Sequence, residues 1–166
     1  MIVVAERLSQ IAFDERIEEN ADAFGRSAFN RYYYAAYLIT RDMLRQLDPS
    51  WARTQHGVIP EFLTKTVIRR IRRTAQQQLT RGVLSKSESA LLRDNANRST
   101  TDLSELLRDA YAVRCIADYQ PERRILRNGN MIRLCDSSIE AARKWPQRAQ
   151  IHAKTLIRIW RQLGLS

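Results

Sequence analysis

Glycine and proline are scarce in this chain, with five glycines and four prolines among 166 residues. Both residue types interrupt helices, and residues that favour helices fill most of the other positions. This composition predicts an all-α protein. A chain of this length can bury a core without disulfides or metals, so we expect a single domain over residues 1–166.

Cysteine and histidine are also rare, which disfavours several classes of enzyme. The two cysteines, Cys115 and Cys135, are too few and too isolated for a zinc site or a disulfide framework. We expect each to be a small buried apolar residue. The sequence has two histidines and no H-E-x-x-H motif, glycine-rich phosphate loop or G-x-S-x-G motif. Conventional hydrolases, kinases and metalloenzymes are therefore disfavoured, and we expect neither a metal ion nor a cofactor.

Long apolar runs are missing as well. No run approaches the roughly 20 residues that a helix needs to cross a bilayer. The N-terminal sequence MIVVAERLSQ starts with apolar residues, but Glu6 interrupts it and no signal-peptide pattern follows. We therefore expect a cytoplasmic protein that has no membrane partner.

Acidic residues are outnumbered, with 18 Asp and Glu against 28 Lys and Arg, which gives a net charge of +10. Such an excess favours a polyanionic partner: a nucleic acid, an anionic membrane surface or an acidic protein. Five of the cations lie close together on the predicted third helix, namely Lys65, Arg69, Arg70, Arg72 and Arg73. We predict that they bind RNA phosphates, and the plainer alternative is a solvated surface. Membrane-surface binding is disfavoured because this helix lacks a bulky aromatic face.

Apolar periodicity in the first half of the chain predicts three helices. The first covers about residues 2–24, with a break at Asn20 or Gly25. The second runs to about Leu47, where an Asp-Pro-Ser sequence ends it. A connector follows, and Pro60 suits the first turn of the third helix.

In the second half of the chain, the sequence pattern predicts a polar loop, a short helix capped by Ser85 or Ser87, and a longer helix. A turn without flanking strands and a last helix, kinked or broken at Pro146, complete the pattern. The predicted ranges of these five segments are 76–86, 89–93, 99–119, 128–130 and 132–163, with the short helix broken at 95–98.

The second helix contains three consecutive tyrosines within SAFNRYYYAAYL, residues 27–38. Aromatic side chains lose rotamer freedom in a helix, so such a run indicates rings that pack on other helices and hydroxyls that find partners. Asn30 and Tyr34 lie one turn apart, as do Tyr33 and Tyr37. Two interpretations stay open, a core helix with aromatic anchors and a helix that contributes to a functional site.

Arginine and histidine are the groups left for phosphate chemistry. RNA cleavage without a metal needs a group that activates the 2′-hydroxyl, one that protonates the leaving oxygen, and cations that stabilise the phosphorane. Histidine suits the proton transfers and arginine suits the charge. His56 lies beside a glycine in the connector, where a loop can present it to a site. His152, on the last helix, is the weaker candidate.

Three motifs resemble those of HEPN domains. Residues 27–37 (SAFNRYYYAAY) are similar to the S-x-x-x-R-x-Y-Y-A-x-F-H helix of that family. Residues 54–62 (TQHGVIPEF) resemble the T-H-x-G-V-x-x-x-F connector of one branch, and residues 114–119 (RCIADY) resemble its R-x-x-A-D-Y motif. The motifs keep the order of the family, and the resemblance covers roughly residues 5–163.

The resemblance implies an up-and-down helical bundle of about five helices, HEPN-like, that usually dimerises. Many members are metal-independent endoribonucleases of prokaryotic toxin–antitoxin, CRISPR-linked or phage-defence systems. Others are non-catalytic partners of nucleotidyltransferase-fold proteins. In active members a histidine follows an arginine on this helix. Arg31 matches the arginine, and Leu38 occupies the position of the histidine.

Two functions follow from the resemblance. In the first, an RNA-engaging protein of a defence or toxin–antitoxin module cleaves RNA, with Arg31 on the phosphate, His56 as acid–base group and Asn30 orienting the substrate. In the second, a catalytically inactive subunit binds a nucleotidyltransferase-fold or other defence-system protein, or a guide nucleic acid. Either protein would form a homodimer or part of a larger complex. The residues expected to support the site are Tyr33, Tyr34, Arg114, Asp118 and Tyr119.

Overall fold

A computed structural model of the chain describes residues 1–128 and 131–165. About 79% of the chain is helical, which confirms the predicted all-α class and helical bundle. The α-helices are α1 (Ile2–Asp14), α2 (Glu18–Leu47), α3 (Ile59–Phe62), α4 (Ile68–Thr80), α5 (Lys86–Tyr119) and α6 (Ile139–Gln162). A π-helical segment, Leu63–Val67, joins α3 to α4, and a 3₁₀ helix, Pro49–Arg53, follows α2.

The described residues group into two compact units. The first unit comes from residues 1–38 and 107–148, and the second from residues 39–106 and 149–166. Helices α2, α5 and α6 each contribute residues to both units. The single domain inferred from length stays a prediction.

A small antiparallel sheet corrects the prediction of a turn without flanking strands. It contains β1 (Leu126–Asn128), β2 (Met131–Leu134) and β3 (Ser137–Ser138) in the order β1-β2-β3. Side chains alternate along β2, where Ile132 and Leu134 are buried and their neighbours are exposed. This alternation of buried and exposed side chains is that of a strand, so the predicted start of the last helix at residue 132 is wrong. The other two residues of the predicted turn, 129 and 130, lie outside the described residues.

Helix α1 ends at Asp14, earlier than the predicted break at Asn20 or Gly25, and both of those residues lie within α2. The carboxylate of Glu15 accepts hydrogen bonds from the backbone N–H groups of the next two residues, at 2.8 and 3.0 Å. The guanidinium of Arg127 donates to the carbonyl oxygens of Ala12 (3.3 Å) and Glu15 (2.5 Å). These contacts satisfy backbone groups that are left unpaired where a helix ends.

Helix α5 is continuous over 34 residues, so the predicted break at residues 95–98 is wrong. The predicted cap at Ser85 is confirmed, since its hydroxyl accepts from the N–H of Glu88 (3.2 Å) and its own N–H donates to the Glu88 carboxylate (2.8 Å). Inside the helix, the amide oxygen of Asn97 accepts from Arg72 at 2.7 Å. Its amide group is used in a contact with α4 and does not compete with the helix backbone.

The predicted end of α2 and start of α3 are confirmed, with Leu47 last in α2 and Pro60 in the first turn of α3. The π-helical segment alters the bonding of the Pro60 carbonyl. That oxygen accepts hydrogen bonds from the hydroxyls of Thr64 (3.1 Å) and Ser104 (3.0 Å, buried). Side-chain hydroxyls therefore satisfy a buried carbonyl within this irregular stretch. Helix α4 then continues to Thr80, beyond the loop predicted from residue 76.

Helix α6 begins at Ile139, where the Ser138 hydroxyl accepts from the N–H of Ala141 at 3.1 Å. Pro146 lies inside α6 and does not end it. The two cysteines are half-buried and free, so the expectation that both are buried is wrong.

Candidate nucleic-acid interface

One face of α4 and the preceding π-helical segment lines an open groove of about 420 Å³. The residues that line the groove are spaced three or four apart, so their side chains lie on one side of the helix. The lining residues, called the α4 groove below, are Thr66, Arg69, Arg70, Arg73, Thr74 and Gln77. Three of the five predicted RNA-binding cations therefore share one surface. The hydroxyls and the amide beside them are further donors of the kind that contact phosphate oxygens.

Arg70 contacts an acidic side chain and two aromatic rings at this groove. Its guanidinium lies 3.0 Å from the carboxylate of Asp48, and its Cζ lies 5.6 Å from the ring centroid of Trp51 and 5.2 Å from that of Trp160. Hydrogen bonds from Ser50 and then from Arg70 lower the pKa of Asp48. The two rings pack edge to face at 5.5 Å and fix the position of the charge.

Arg69 and Arg73 are exposed, and neither makes an ion pair or hydrogen bond within residues 1–128 and 131–165. The other two predicted cations are engaged outside the groove. Lys65 pairs with Glu61 at 2.5 Å, and Arg72 donates to the amide oxygen of Asn97 on α5. The five predicted cations thus divide into two that are available to a ligand, one that is fixed at the groove, and two that are used elsewhere.

The tyrosine-rich part of α2 meets the end of α5 in the first unit. The amide of Asn30 donates to one oxygen of Asp118 at 2.5 Å, and the guanidinium of Arg114 lies 2.7 Å from the other oxygen. The carboxylate of Asp118 therefore pairs with its own helix and also contacts the helix that carries Arg31. Arg31 itself is exposed.

Aromatic rings surround this contact. The Tyr33 ring lies 5.8 Å from that of Tyr111 and is nearly parallel to that of Tyr37 at 6.3 Å. Burial and the nearby tyrosines raise the pKa of Tyr33 and so disfavour ionisation of its hydroxyl. The Cζ of Arg114 lies 6.0 Å from the ring centroid of Tyr34. The aromatic residues of α2 thus form a packed cluster, as the core interpretation of this helix predicts.

Replacing Asp118 by alanine should cost more stability than the ~0.5 kcal/mol typical of an exposed site. The side chain of Arg114 is only 11% exposed, and the change would remove its carboxylate partner and the acceptor for Asn30. We expect a loss of about 1–3 kcal/mol, measured by urea unfolding. Asp109→Ala, at an exposed position of the same helix, is the matched control. Equal losses in the two variants would make the Arg114–Asp118 contact an ordinary surface pair.

The predicted catalytic residues fall in different compact units. Asn30 and Arg31 belong to the first unit, and His56 belongs to the second. His56 is half-buried in the connector before α3, and Leu38 is half-buried on α2. A joint catalytic role of these residues stays a prediction.

Sequence reasoning missed the polar residues that complete the α4 groove. Thr66, Thr74 and Gln77 lie at helical spacing from Arg70, so the periodicity that found the apolar face could also have found them. In the part of the chain that the structure describes, no three His, Cys, Asp or Glu side chains are grouped to hold a metal ion. Among the same residues, no helix has the length and apolar character required to traverse a bilayer.

Comparisons with known proteins do not assign this site. No family model, no curated protein and no solved structure matches the chain.

Proposed function

We propose that this protein binds RNA and that the α4 groove contacts the phosphate backbone. The observation that carries the proposal is the placement of Arg69 and Arg73, exposed and unpaired within the described residues, in the lining of the same groove as Arg70. Guanidinium groups form strong charge-assisted hydrogen bonds with phosphate oxygens. A net charge of +10 adds long-range attraction for a polyanion.

The length of the groove favours a chain of phosphates over a single small anion. Its lining runs from Thr66 to Gln77, which corresponds to roughly 16 Å along the helix axis at the rise of an α-helix. The groove offers cations, hydroxyls and an amide, and its lining contains no aromatic side chain. Such a surface holds the backbone and leaves base identity unread.

The HEPN resemblance extends this proposal to a cytoplasmic, dimeric protein of a defence or toxin–antitoxin module. In the enzymatic form, Arg31, His56 and Asn30 cleave the bound RNA without a metal. In the alternative form, the chain is an inactive subunit that docks a nucleotidyltransferase-fold protein, another defence protein or a guide nucleic acid. Leu38 at the position of the family histidine favours the alternative, and the retained Arg31 favours RNA contact.

The salt dependence of RNA binding tests the groove. Each phosphate contact with a single strand contributes about 0.7 to the slope of log K against log salt concentration. Arg69→Gln with Arg73→Gln should therefore lower that slope by about 1.4 and weaken binding at low salt. Arg70 is left in place because its loss would also disturb the Trp51 and Trp160 contacts.

The matched control removes the same charge elsewhere in the second unit. Arg98→Gln with Arg158→Gln changes two exposed arginines outside the groove. This control should keep the wild-type slope. Equal slopes for the wild type and the groove variant would place the RNA contact on another surface, and a wild type that binds no RNA would refute the proposal.

A further inference from the structure

The last residue of α5, Tyr119, presents an aromatic ring to solvent. Its side chain is exposed although it is large and apolar, with 69% of the residue accessible. The ring is also anchored, since the Cζ of Arg114 lies 5.1 Å from its centroid and the same guanidinium donates to its hydroxyl at 3.4 Å. An anchored ring loses little conformational entropy when a ligand stacks on it.

The anchor is itself fixed by the contacts of the first unit. Arg114 is mostly buried, and its charge is already matched by Asp118 at 2.7 Å. Arg114 is therefore suited to hold the ring and has no unmatched charge to offer a phosphate. Arg31 supplies such a charge on the neighbouring helix. It is exposed, lies three residues before Tyr34, which Arg114 contacts, and makes no ion pair within the described residues.

We propose that Tyr119 is a stacking platform for an unpaired nucleobase, with Arg31 contacting a phosphate of the same strand. This inference rests on the proposed RNA binding and specifies single-stranded RNA as the ligand class. Both faces of an internal base in a duplex are covered by its neighbours, so away from the duplex ends only an unpaired base can stack on a side chain. Aromatic stacking also tolerates any base, because every base has a π face.

Fluorescence of a pyrimidine-rich single strand with one 2-aminopurine tests the platform. Stacking quenches 2-aminopurine, so binding of the wild type should lower its emission. Tyr119→Leu should abolish this quenching and weaken binding about tenfold, while Tyr119→Phe should keep both properties. Phe13→Leu removes another partly exposed ring of the first unit and should leave quenching unchanged. A blunt RNA duplex of equal length should compete poorly.

The outcomes separate this inference from RNA binding by the groove. If Tyr119→Leu quenches and binds like the wild type while the Arg69 and Arg73 variant shows the expected lower salt slope, the platform is refuted and the groove stands. Equal competition by the duplex would also refute the platform. A wild type that binds neither strand nor duplex would refute both proposals.

Discussion

Replacing Arg26 by methionine is expected to lower the free energy of unfolding by about 2–4 kcal/mol. The residue is only 9% exposed, although arginine usually lies at the surface. Its guanidinium donates to three backbone carbonyl oxygens at and after the end of α5, those of Ile116 (3.2 Å), Gln120 (2.9 Å) and Arg123 (2.7 Å). Methionine would fill the space, but each oxygen would lose the guanidinium donor. Those of Ile116 and Gln120 would keep only a backbone N–H, at 3.1 and 3.0 Å.

Urea unfolding followed by circular dichroism measures this loss. Arg108→Met, at an exposed position of α5, should change stability by no more than about 0.5 kcal/mol. Arg26→Lys should recover only part of the loss, because an ammonium group cannot reproduce the planar fork of the guanidinium. If Arg26→Met unfolded at the same urea concentration as Arg108→Met, the three hydrogen bonds would contribute nothing to stability.

The second large effect concerns cleavage, the enzymatic form of the proposed function. Arg31→Gln and His56→Asn should each lower cleavage of a mixed RNA pool by roughly 10²-fold or more, the effect of losing a charge stabiliser or an acid–base group. Cleavage should persist in EDTA and leave 2′,3′-cyclic phosphate ends. His152→Asn provides the matched control, since it removes the other histidine of the chain.

A wild type that binds RNA and leaves it intact would contradict the enzymatic form and support the inactive subunit. Leu38→His then provides a converse experiment. Residue 38 lies seven positions after Arg31 on α2, so the two share a helix face. New cleavage by this variant would show a site that lacks only its proton carrier.

Local signals in the sequence predicted much of the fold. The end of α2 follows from Pro49, the start of α3 from Pro60, and the start of α5 from the reciprocal bonds of Ser85 and Glu88. In each case a few neighbouring residues determine the backbone geometry. The local sequence at residues 95–98 wrongly predicted a helix break. Asn97 bonds to Arg72, a partner that is distant in the sequence and that a local pattern does not include.

The roles of the arginines could not be predicted locally. A count of charges treats each one as surface charge, yet Arg26 and its acceptor Gln120 are 94 residues apart, and Arg127 and Ala12 are 115 apart. Each of these side chains donates to backbone carbonyl oxygens at a helix end. The candidate site shows the same limit, since the sequence located the basic helix but could not separate the available Arg69 from the engaged Arg72.

Nuclear magnetic resonance of the arginine side chains tests the central claim most directly. The Nε–Hε signals would be followed while a short single-stranded RNA is added to the labelled wild type. RNA binding in the α4 groove predicts large shifts for Arg69 and Arg73 and none for the buried Arg26. Saturable RNA binding that shifts other arginines and leaves Arg69 and Arg73 unmoved would contradict the assignment of the groove.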